Sequence, residues 1–262
     1  MLFRSARNFA HTGDLLIKTL LPGIFFSLLY FNLPQRKPLS AYKQNVDAVL
    51  YLMLNITGIT CATLVSGTMP KSIAVFIKQK QQRMYNAPAF YLSAVLHDLI
   101  AFIGMPLIFV TLLYWSAWIV AGHDYPLWHF LVLLAVTVLA SNAAGAMGYC
   151  IAAFSSTVES AASTIVVILQ LLFIFSGYLV DLRRIPALFR VLQYLSPIYY
   201  AFSILQEIQW QSESPSMSKI YFDTSMLVVL LVAFHAAAFI VIWYRGYRLR
   251  LIERFARLGS NS

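Results

Sequence analysis

The chain has 262 residues, of which 60% are hydrophobic and only 11% are charged, and its formal net charge is +9. Soluble domains are roughly 45–50% apolar and about 25% charged, so this composition excludes an ordinary soluble protein and predicts an integral membrane protein. The positive charge does not indicate nucleic-acid binding, because the cations cluster at the ends of apolar runs and no basic patch is interleaved with aromatic residues.

Six apolar runs have about the 20 residues that a membrane-spanning helix requires. In chain order they are Leu15–Leu33, Val46–Met69, Ala94–Ala121, Trp128–Phe154, Ala161–Val180 and Thr224–Tyr244. We therefore predict an all-α membrane protein with six transmembrane helices, forming one membrane domain over residues 1–262.

The segment between the second and third runs, Lys71–Asp98, is the longest interruption in the first half of the chain. Ile73, Phe76 and Ile77 lie at helical spacing, and lysine, arginine and glutamine fill most of the remaining positions. This pattern predicts an amphipathic basic helix along a cytoplasmic membrane surface. Asn86–Pro88 should end that helix, because a residue that precedes proline is driven out of the helical region. A merely solvated loop is the alternative.

The distribution of lysine and arginine predicts the orientation of the spans, because cytoplasmic loops carry an excess of these residues. With the termini inside, two cations before the first span, four in Lys71–Arg83 and five after Tyr244 are cytoplasmic, against seven outside. We therefore predict that both termini are cytoplasmic.

Residues 181–211, between the fifth and sixth runs, predict two short helices. An amphipathic period from Ile185 to Leu192 indicates the first helix, with Pro186 at its first position and Ser196-Pro197 at its end. Ile198–Trp210 indicates the second helix. Both are too short to cross a membrane, so we expect a re-entrant helix pair that dips into the outer leaflet before the last span.

No motif for catalysis or nucleotide binding occurs in the sequence. G-x-x-x-x-G-K is absent, so no phosphate loop is recognisable, and H-E-x-x-H, C-x-x-C and G-x-S-x-G are absent as well. The five histidines are scattered without the spacing of metal ligands, and the two cysteines lie inside apolar runs. We predict no catalytic residue, no metal site and no cofactor bound by this chain.

Three stretches resemble the transmembrane domain of G-subfamily ABC transporters, the group of white-pigment proteins and multidrug exporters. The first is a charged helix that leads into Arg83–Leu92, similar to the family's connecting segment and the aromatic-aromatic-leucine start of its third span. The second, Phe175–Val180, is similar to the Phe-Ser-Gly and valve residues that end the fifth span. The third, Leu192–Tyr200, is similar to the re-entrant segment and is the most specific.

The chain also departs from the family pattern. Gln79 stands where the connecting helix usually has a glutamate, Gln206-Glu207 replaces Asn-Glu, and Tyr178 replaces one of two valve leucines. The nucleotide-binding domain that the family normally fuses ahead of the first span is absent from this sequence. We therefore expect a truncated product, a split subunit or a gene model that lost its start.

The resemblance implies three groups of functional residues. Substrate would bind in a central cavity between two subunits, against Leu52, Asn55, Ile59, Gln170 and Phe173. The gate would consist of Tyr178 and Leu179. Movement of the ATPase would reach the spans through Phe76, Lys78, Gln79, Lys80, Arg83 and Tyr85.

Polar residues inside the predicted spans are an independent functional signal, because lipid-facing positions rarely carry them. For Asn142 and His235 an interhelical hydrogen bond is the favoured explanation. For Asn55 and Gln170 the resemblance favours contact with cargo. The small residues of Ser141–Gly148 predict close approach of two helix backbones.

The implied function is that of the membrane-spanning subunit of an ATP-driven exporter of lipids, sterols or amphipathic small molecules. It would work by alternating access in a homo- or heterodimer, with ATP and Mg bound by a nucleotide-binding domain on another polypeptide. Membrane lipid is a further expected partner, and nucleic acid is not. Two alternatives remain: a truncated, non-transporting fragment that binds and regulates a full-length partner, and a permease of another family.

Overall fold

The computed structural model describes residues 9–30, 39–81, 86–116, 127–180, 186–210 and 216–259. Within these ranges all regular secondary structure is helical, which confirms the all-α part of the predicted fold class. The helices are α1 (Phe9–Leu29), α2 (Leu39–Gln81), α3 (Ala87–Tyr114), α4 (Leu127–Phe154), α5 (Val158–Ile174), α6 (Ala187–Tyr194), α7 (Pro197–Trp210) and α8 (Met217–Gly259).

Four helices contain apolar stretches long enough to cross a membrane. These stretches are Tyr42–Ile77 of α2, Ala87–Tyr114 of α3, Leu127–Phe154 of α4 and Met217–Arg245 of α8. The apolar stretches Ile17–Leu29 of α1 and Val158–Ile174 of α5 are shorter. The described part of the chain is therefore that of a multi-pass membrane protein with four clear spans, and the six-span count stays a prediction.

Helix α2 runs without interruption from Leu39 to Gln81, so the predicted second span and the predicted connecting helix are one helix. Over the described part of the connecting stretch the amphipathic pattern is confirmed, since Lys71 is exposed whereas Ile73 and Phe76 are buried. This excludes the solvated-loop alternative for residues 71–81.

The next helix, α3, begins earlier than the predicted Ala94. Asn86 has extended backbone angles (φ −90°, ψ 145°), and α3 starts at Ala87 with Pro88 in its first turn. Proline is tolerated there because the first turn of a helix has no intrahelical partner for its N–H groups.

Helix α4 is the centre of the packing and contacts α2, α3, α5, α7 and α8. Its buried stretch Ala143–Gly148 consists of small residues and Met147, as the sequence predicts. A Cβ at Gly148 would lie 2.8 Å from the carbonyl oxygen of Ala62, so only glycine permits this approach of α4 to α2. Close packing of the two backbones is the consequence.

The predicted pair of short helices is present as α6 and α7. Pro186 lies just before α6, at the N-cap, and not at the first helical position as predicted. Helix α7 buries Ile198, Phe202 and Leu205 in the core, where it contacts α2, α4 and α8. Its contacts give α7 a fixed position, while re-entry into the outer leaflet stays a prediction.

Candidate functional site

An aromatic cluster joins α2 to the end of α5 and to α7. The Tyr51 ring stacks on Tyr178, with centroids 5.0 Å apart and planes 23° apart. Phe202 lies edge-on to both rings, at 6.3 Å from Tyr51 and 5.8 Å from Tyr178. The Tyr51 hydroxyl accepts a hydrogen bond from Asn55 Nδ2 (3.3 Å) and donates to the carbonyl oxygen of Phe173 (3.5 Å). A predicted cavity residue, Asn55, is thereby linked to a predicted gate residue, Tyr178.

The local sequence explains why Tyr178 turns back towards α2. Helix α5 ends at Ile174, short of the predicted Val180, and the Ser176 N–H donates to the Phe173 carbonyl at 3.1 Å. Gly177 then has φ 92°, a backbone angle that L side chains rarely adopt. The backbone N–H of Tyr178 lies 3.4 Å from Ser176 Oγ, which accepts from it.

The two predicted gate residues lie in different surroundings. Tyr178 is half-buried in the aromatic cluster, whereas Leu179 is 55% exposed. Of the two predicted gate residues, Tyr178 therefore packs against other side chains of the chain, and Leu179 lies at its surface.

The predicted cavity residues of α2 share one face. Leu52, Asn55 and Ile59 are all half-buried, and their spacing of three and four residues places them along one side of a helix. Leu52 and Ile59 also pack against the core, so this face is the border between the core and the outside of the chain.

The predicted cavity residues of α5 do not share their surroundings. Phe173 is fully buried and its ring lies beside Gly58 of α2 and Ala144 of α4, because a Cβ at Gly58 would be 3.4 Å from each. Gln170 is exposed, on the side of α5 where Val167 (58% exposed) also faces outward. Gln170 and Asn55 are therefore not hydrogen-bonded to each other in this structure.

Of the predicted coupling residues, Phe76 has a described side chain. It is 1% exposed and stacks on Phe90 of α3, with centroids 4.5 Å apart and planes 19° apart. This contact joins the end of α2 to the start of α3. The side chains of Lys78, Gln79 and Lys80 and the whole of Arg83 and Tyr85 lie outside the described residues.

Comparison with known proteins assigns the chain to a family: residues 2–210 match the family model of the ABC-2 type transporter. The chain belongs to the ABC-2 type transporter family. All the predicted cavity, gate and coupling residues fall inside the matched range.

The relatives of this ABC-2 domain confirm the G-subfamily resemblance. The chain is 22% identical over 258 residues to Protein white of Drosophila melanogaster, and this alignment covers 89% of this chain and 36% of that protein. It is 23% identical over 141 residues to the ABC transporter ATP-binding protein/permease wht-1 of Caenorhabditis elegans (53% of this chain, 20% of that protein). It is 28% identical over 146 residues to ABC transporter G family member 25 of Arabidopsis thaliana (55% and 21%). The chain thus spans about a third or less of the length of these curated relatives.

The chain also contains two interhelical polar contacts, which connect α3 to α4 and to α8. The Tyr149 hydroxyl donates to Asp98 Oδ2, and the Tyr91 hydroxyl is hydrogen-bonded to His235 Nδ1 at 2.7 Å. The interhelical bond predicted for His235 is therefore confirmed. Asn142 instead donates to the carbonyl of Val138 in its own helix (2.8 Å), so the prediction of an interhelical bond for its amide group was wrong.

A second cluster, which sequence reasoning missed, fastens α7 to α2. The Asp47 carboxylate accepts from Trp210 Nε1 (2.8 Å) and from Gln206 Nε2 (3.2 Å). Lys43 Nζ lies 5.0 Å from the centroid of the Trp210 ring. A carboxylate at the second position of the predicted span Val46–Met69 was the available signal, because such a group requires partners.

Glu207, the neighbour of Gln206, fastens α7 to the start of α8. Its carboxylate accepts from the backbone N–H of Ser216 and from Lys219 Nζ, both at 3.1 Å. The Ser216 N–H, followed by Lys219, holds the pKa of Glu207 below its usual value. Across the described ranges of the chain, no group of three His, Cys, Asp or Glu side chains is placed to hold a metal ion.

Proposed function

We propose that this ABC-2 domain forms half of the translocation path of an ATP-driven exporter of lipids, sterols or amphipathic small molecules. Membership of the ABC-2 type transporter family is the observation that carries the proposal. On the half-buried face of α2, Leu52 and Ile59 are apolar and Asn55 adds an amide. A path lined in this way suits cargo with a large apolar surface and few polar groups.

The position of Gln170 supports assembly into a dimer. It is exposed in the otherwise apolar second half of α5, Ile165–Ile174, where Val167 and Leu171 are 58% and 53% exposed. An amide that faces hydrocarbon lacks a hydrogen-bond partner, and this costs free energy. A second chain against α5, with a wet cavity between the two, would remove that cost.

ATP and Mg would be bound by a nucleotide-binding domain and not by this membrane domain, since no phosphate loop occurs in residues 1–262. The name of the wht-1 relative combines an ATP-binding protein with a permease, and this chain aligns with 20% of it. We propose that Lys78, Gln79 and Lys80 at the end of α2, together with Arg83 and Tyr85 further along the sequence, receive the movement of that domain. The Phe76–Phe90 stack would pass it to α3, and alternating access would follow.

Disulfide formation between two copies tests the dimer. In a background with Cys61 and Cys150 replaced by alanine, we expect Gln170→Cys to form a cross-linked dimer in membranes under mild oxidation. Val229→Cys of α8, which is 56% exposed at a similar apolar helix surface, is the matched control and should stay monomeric. Equal cross-linking of both variants, or of neither, would contradict the dimer.

Efflux assays test transport itself. Cells that express the chain are loaded with rhodamine 123 or with a fluorescent cholesterol analogue, and the ATPase activity that copurifies with the tagged chain is measured with each probe. We expect efflux, together with ATPase activity that a probe stimulates. Copurification of an ATPase that neither probe stimulates, without efflux, would favour the regulatory fragment over the exporter.

A further inference from the structure

The half-buried gate residue Tyr178 is held by ring contacts with one side chain of α2 and one of α7. Tyr178 follows the turn at Gly177 and is not part of a helix. Its ring has two aromatic neighbours, Tyr51 in a parallel stack at 5.0 Å and Phe202 edge-on at 5.8 Å. Tyr51 itself is 6% exposed, and therefore offers a fixed surface for the ring of Tyr178.

Tyr51 also contacts the C-terminal end of α5, which directly precedes the gate residues. Its hydroxyl donates to the Phe173 carbonyl, which accepts from the Ser176 N–H as well. The carbonyl groups of the last helical turn have no intrahelical partner, so a hydroxyl from another helix fixes the point at which α5 ends. Tyr51 therefore makes two contacts in this region. Its hydroxyl donates to the Phe173 carbonyl, just before the gate segment Ser176–Leu179, and its ring stacks on Tyr178 within that segment.

We propose that Tyr51 is the positioning residue of the gate: its ring holds Tyr178 against α2, and this keeps Leu179 directed outward. The inference rests on the proposed function in treating Tyr178 and Leu179 as a gate. The same hydroxyl accepts from Asn55, so the predicted cavity residue and the gate share one side chain. Cargo that binds the Asn55 amide would act on the gate through Tyr51.

Two substitutions separate the ring from the hydroxyl. Tyr51→Phe keeps the ring stack and removes both hydrogen bonds of the hydroxyl, whereas Tyr51→Leu removes the stack as well. An aromatic pair contributes about 1 kcal/mol beyond the area that it buries, which corresponds to a roughly fivefold change in a conformational equilibrium. We therefore expect Tyr51→Leu to release the gate segment and Tyr51→Phe to retain most of its position.

The readout is the rate at which an impermeant thiol reagent modifies Leu179→Cys in a background without Cys61 and Cys150. We expect Tyr51→Leu to change that rate by roughly fivefold per folded molecule, and Tyr51→Phe to stay close to the parent. Val191→Cys on α6 is the control position, because Val191 is 59% exposed and Leu179 is 55% exposed. Its rate should be the same in all three backgrounds.

Two outcomes would overturn the proposal. One is an unchanged Leu179→Cys rate in Tyr51→Leu; the other is an equal change at Val191→Cys, which would indicate general loosening of the fold. The assay needs neither cargo nor ATP, so it does not depend on transport. A changed Leu179→Cys rate in a chain that exports neither rhodamine 123 nor the cholesterol analogue would support the positioning role of Tyr51 while contradicting the proposed function.

Discussion

The hydroxyl of Tyr149 on α4 donates a hydrogen bond to Oδ2 of Asp98 on α3, and both side chains are buried within membrane-spanning helices. His97 Nδ1 lies 2.9 Å from the other carboxylate oxygen. A carboxyl group inside a membrane is costly unless its oxygens are hydrogen-bonded, so Tyr149 is the partner that makes Asp98 tolerable there.

Removal of this hydroxyl should destabilise the fold. We expect Tyr149→Phe to lower the free energy of unfolding by about 1–3 kcal/mol, because a buried polar oxygen loses its partner. Unfolding of the purified chain in mixed micelles, followed by circular dichroism, measures the change. Tyr221→Phe is the control, since Tyr221 is 71% exposed and should have little effect. Equal effects of the two substitutions would show that the hydrogen bond from Tyr149 to Asp98 does not stabilise the fold.

Two glycine-to-alanine substitutions should have different effects on the free energy of unfolding, because Gly148 lies close to Ala62 and Gly104 has open space around it. Gly148→Ala places a methyl group 2.8 Å from the Ala62 carbonyl oxygen and should destabilise by about 1–3 kcal/mol, because backbones must move apart. Gly104→Ala has no neighbouring atom within 4 Å and should be neutral or stabilising by up to about 1 kcal/mol, as alanine favours a helix over glycine. Thermal unfolding of both variants checks the pair, and a stable Gly148→Ala protein would show that α2 and α4 are not in backbone contact.

Acid should loosen the attachment of α7 to α8. Because the folded pKa of Glu207 lies below its usual value, Glu207 contributes stability that is present above the unfolded pKa and is lost as pH falls through the folded pKa. We expect Glu207→Gln to lower the melting temperature at pH 7 and to have progressively less effect in acid. Glu159→Gln, at the exposed start of α5, is the control for the loss of a carboxylate away from α7 and α8. A melting-temperature difference for Glu207→Gln that is constant between pH 7 and pH 3 would argue against the contact with Ser216.

The predicted orientation is open to a labelling test. If both termini are cytoplasmic, Arg250→Cys should react with an impermeant thiol reagent only after permeabilisation, and Ser214→Cys should react in intact cells. Cys61 and Cys150 are first replaced to remove their thiols. The reversed pattern would invert the assignment of every loop.

Cargo selection tests the predicted cavity. If Asn55 and Gln170 border the path, Asn55→Leu and Gln170→Leu should change the ratio in which rhodamine 123 and the cholesterol analogue are exported, at equal amounts of folded protein. If Gln170 only mediates helix contacts, its leucine variant should lower the folded yield and leave export per folded molecule unchanged. A ratio that neither substitution changes would remove both residues from the site.

The helical elements could largely be predicted from sequence because long apolar runs leave a membrane chain few alternatives. Trp128–Phe154 matches α4 to within one residue, and the two short helices around Pro197 are present. The continuity of α2 could not be predicted, since the basic residues after Met69 indicate where the membrane ends and not where the helix ends. Helical hydrogen bonds are local and do not depend on that boundary.

The candidate site was less predictable for a similar reason. Phe173 and Gln170 are three residues apart, but the spacing alone does not tell which of them faces the core, and the structure buries Phe173 and exposes Gln170. Tyr51 could not be singled out from the sequence, because aromatic residues are common in apolar runs. Its role depends on the return of the chain at Gly177, some 120 positions later, which local periodicity cannot encode.

The length of α2 has a mechanical consequence. Its 43 residues rise by about 1.5 Å each, giving a rod of roughly 65 Å. The backbone contact with α4 at Ala62 lies near the middle of this rod. On one side of Ala62 along the helix, Asp47 is hydrogen-bonded to Trp210 of α7, and on the other side Phe76 stacks on Phe90 of α3. A force on the Lys71–Gln81 end would therefore be carried along one continuous helix to the half with Asp47 and Tyr51, and Pro70 is the position at which the helix would bend.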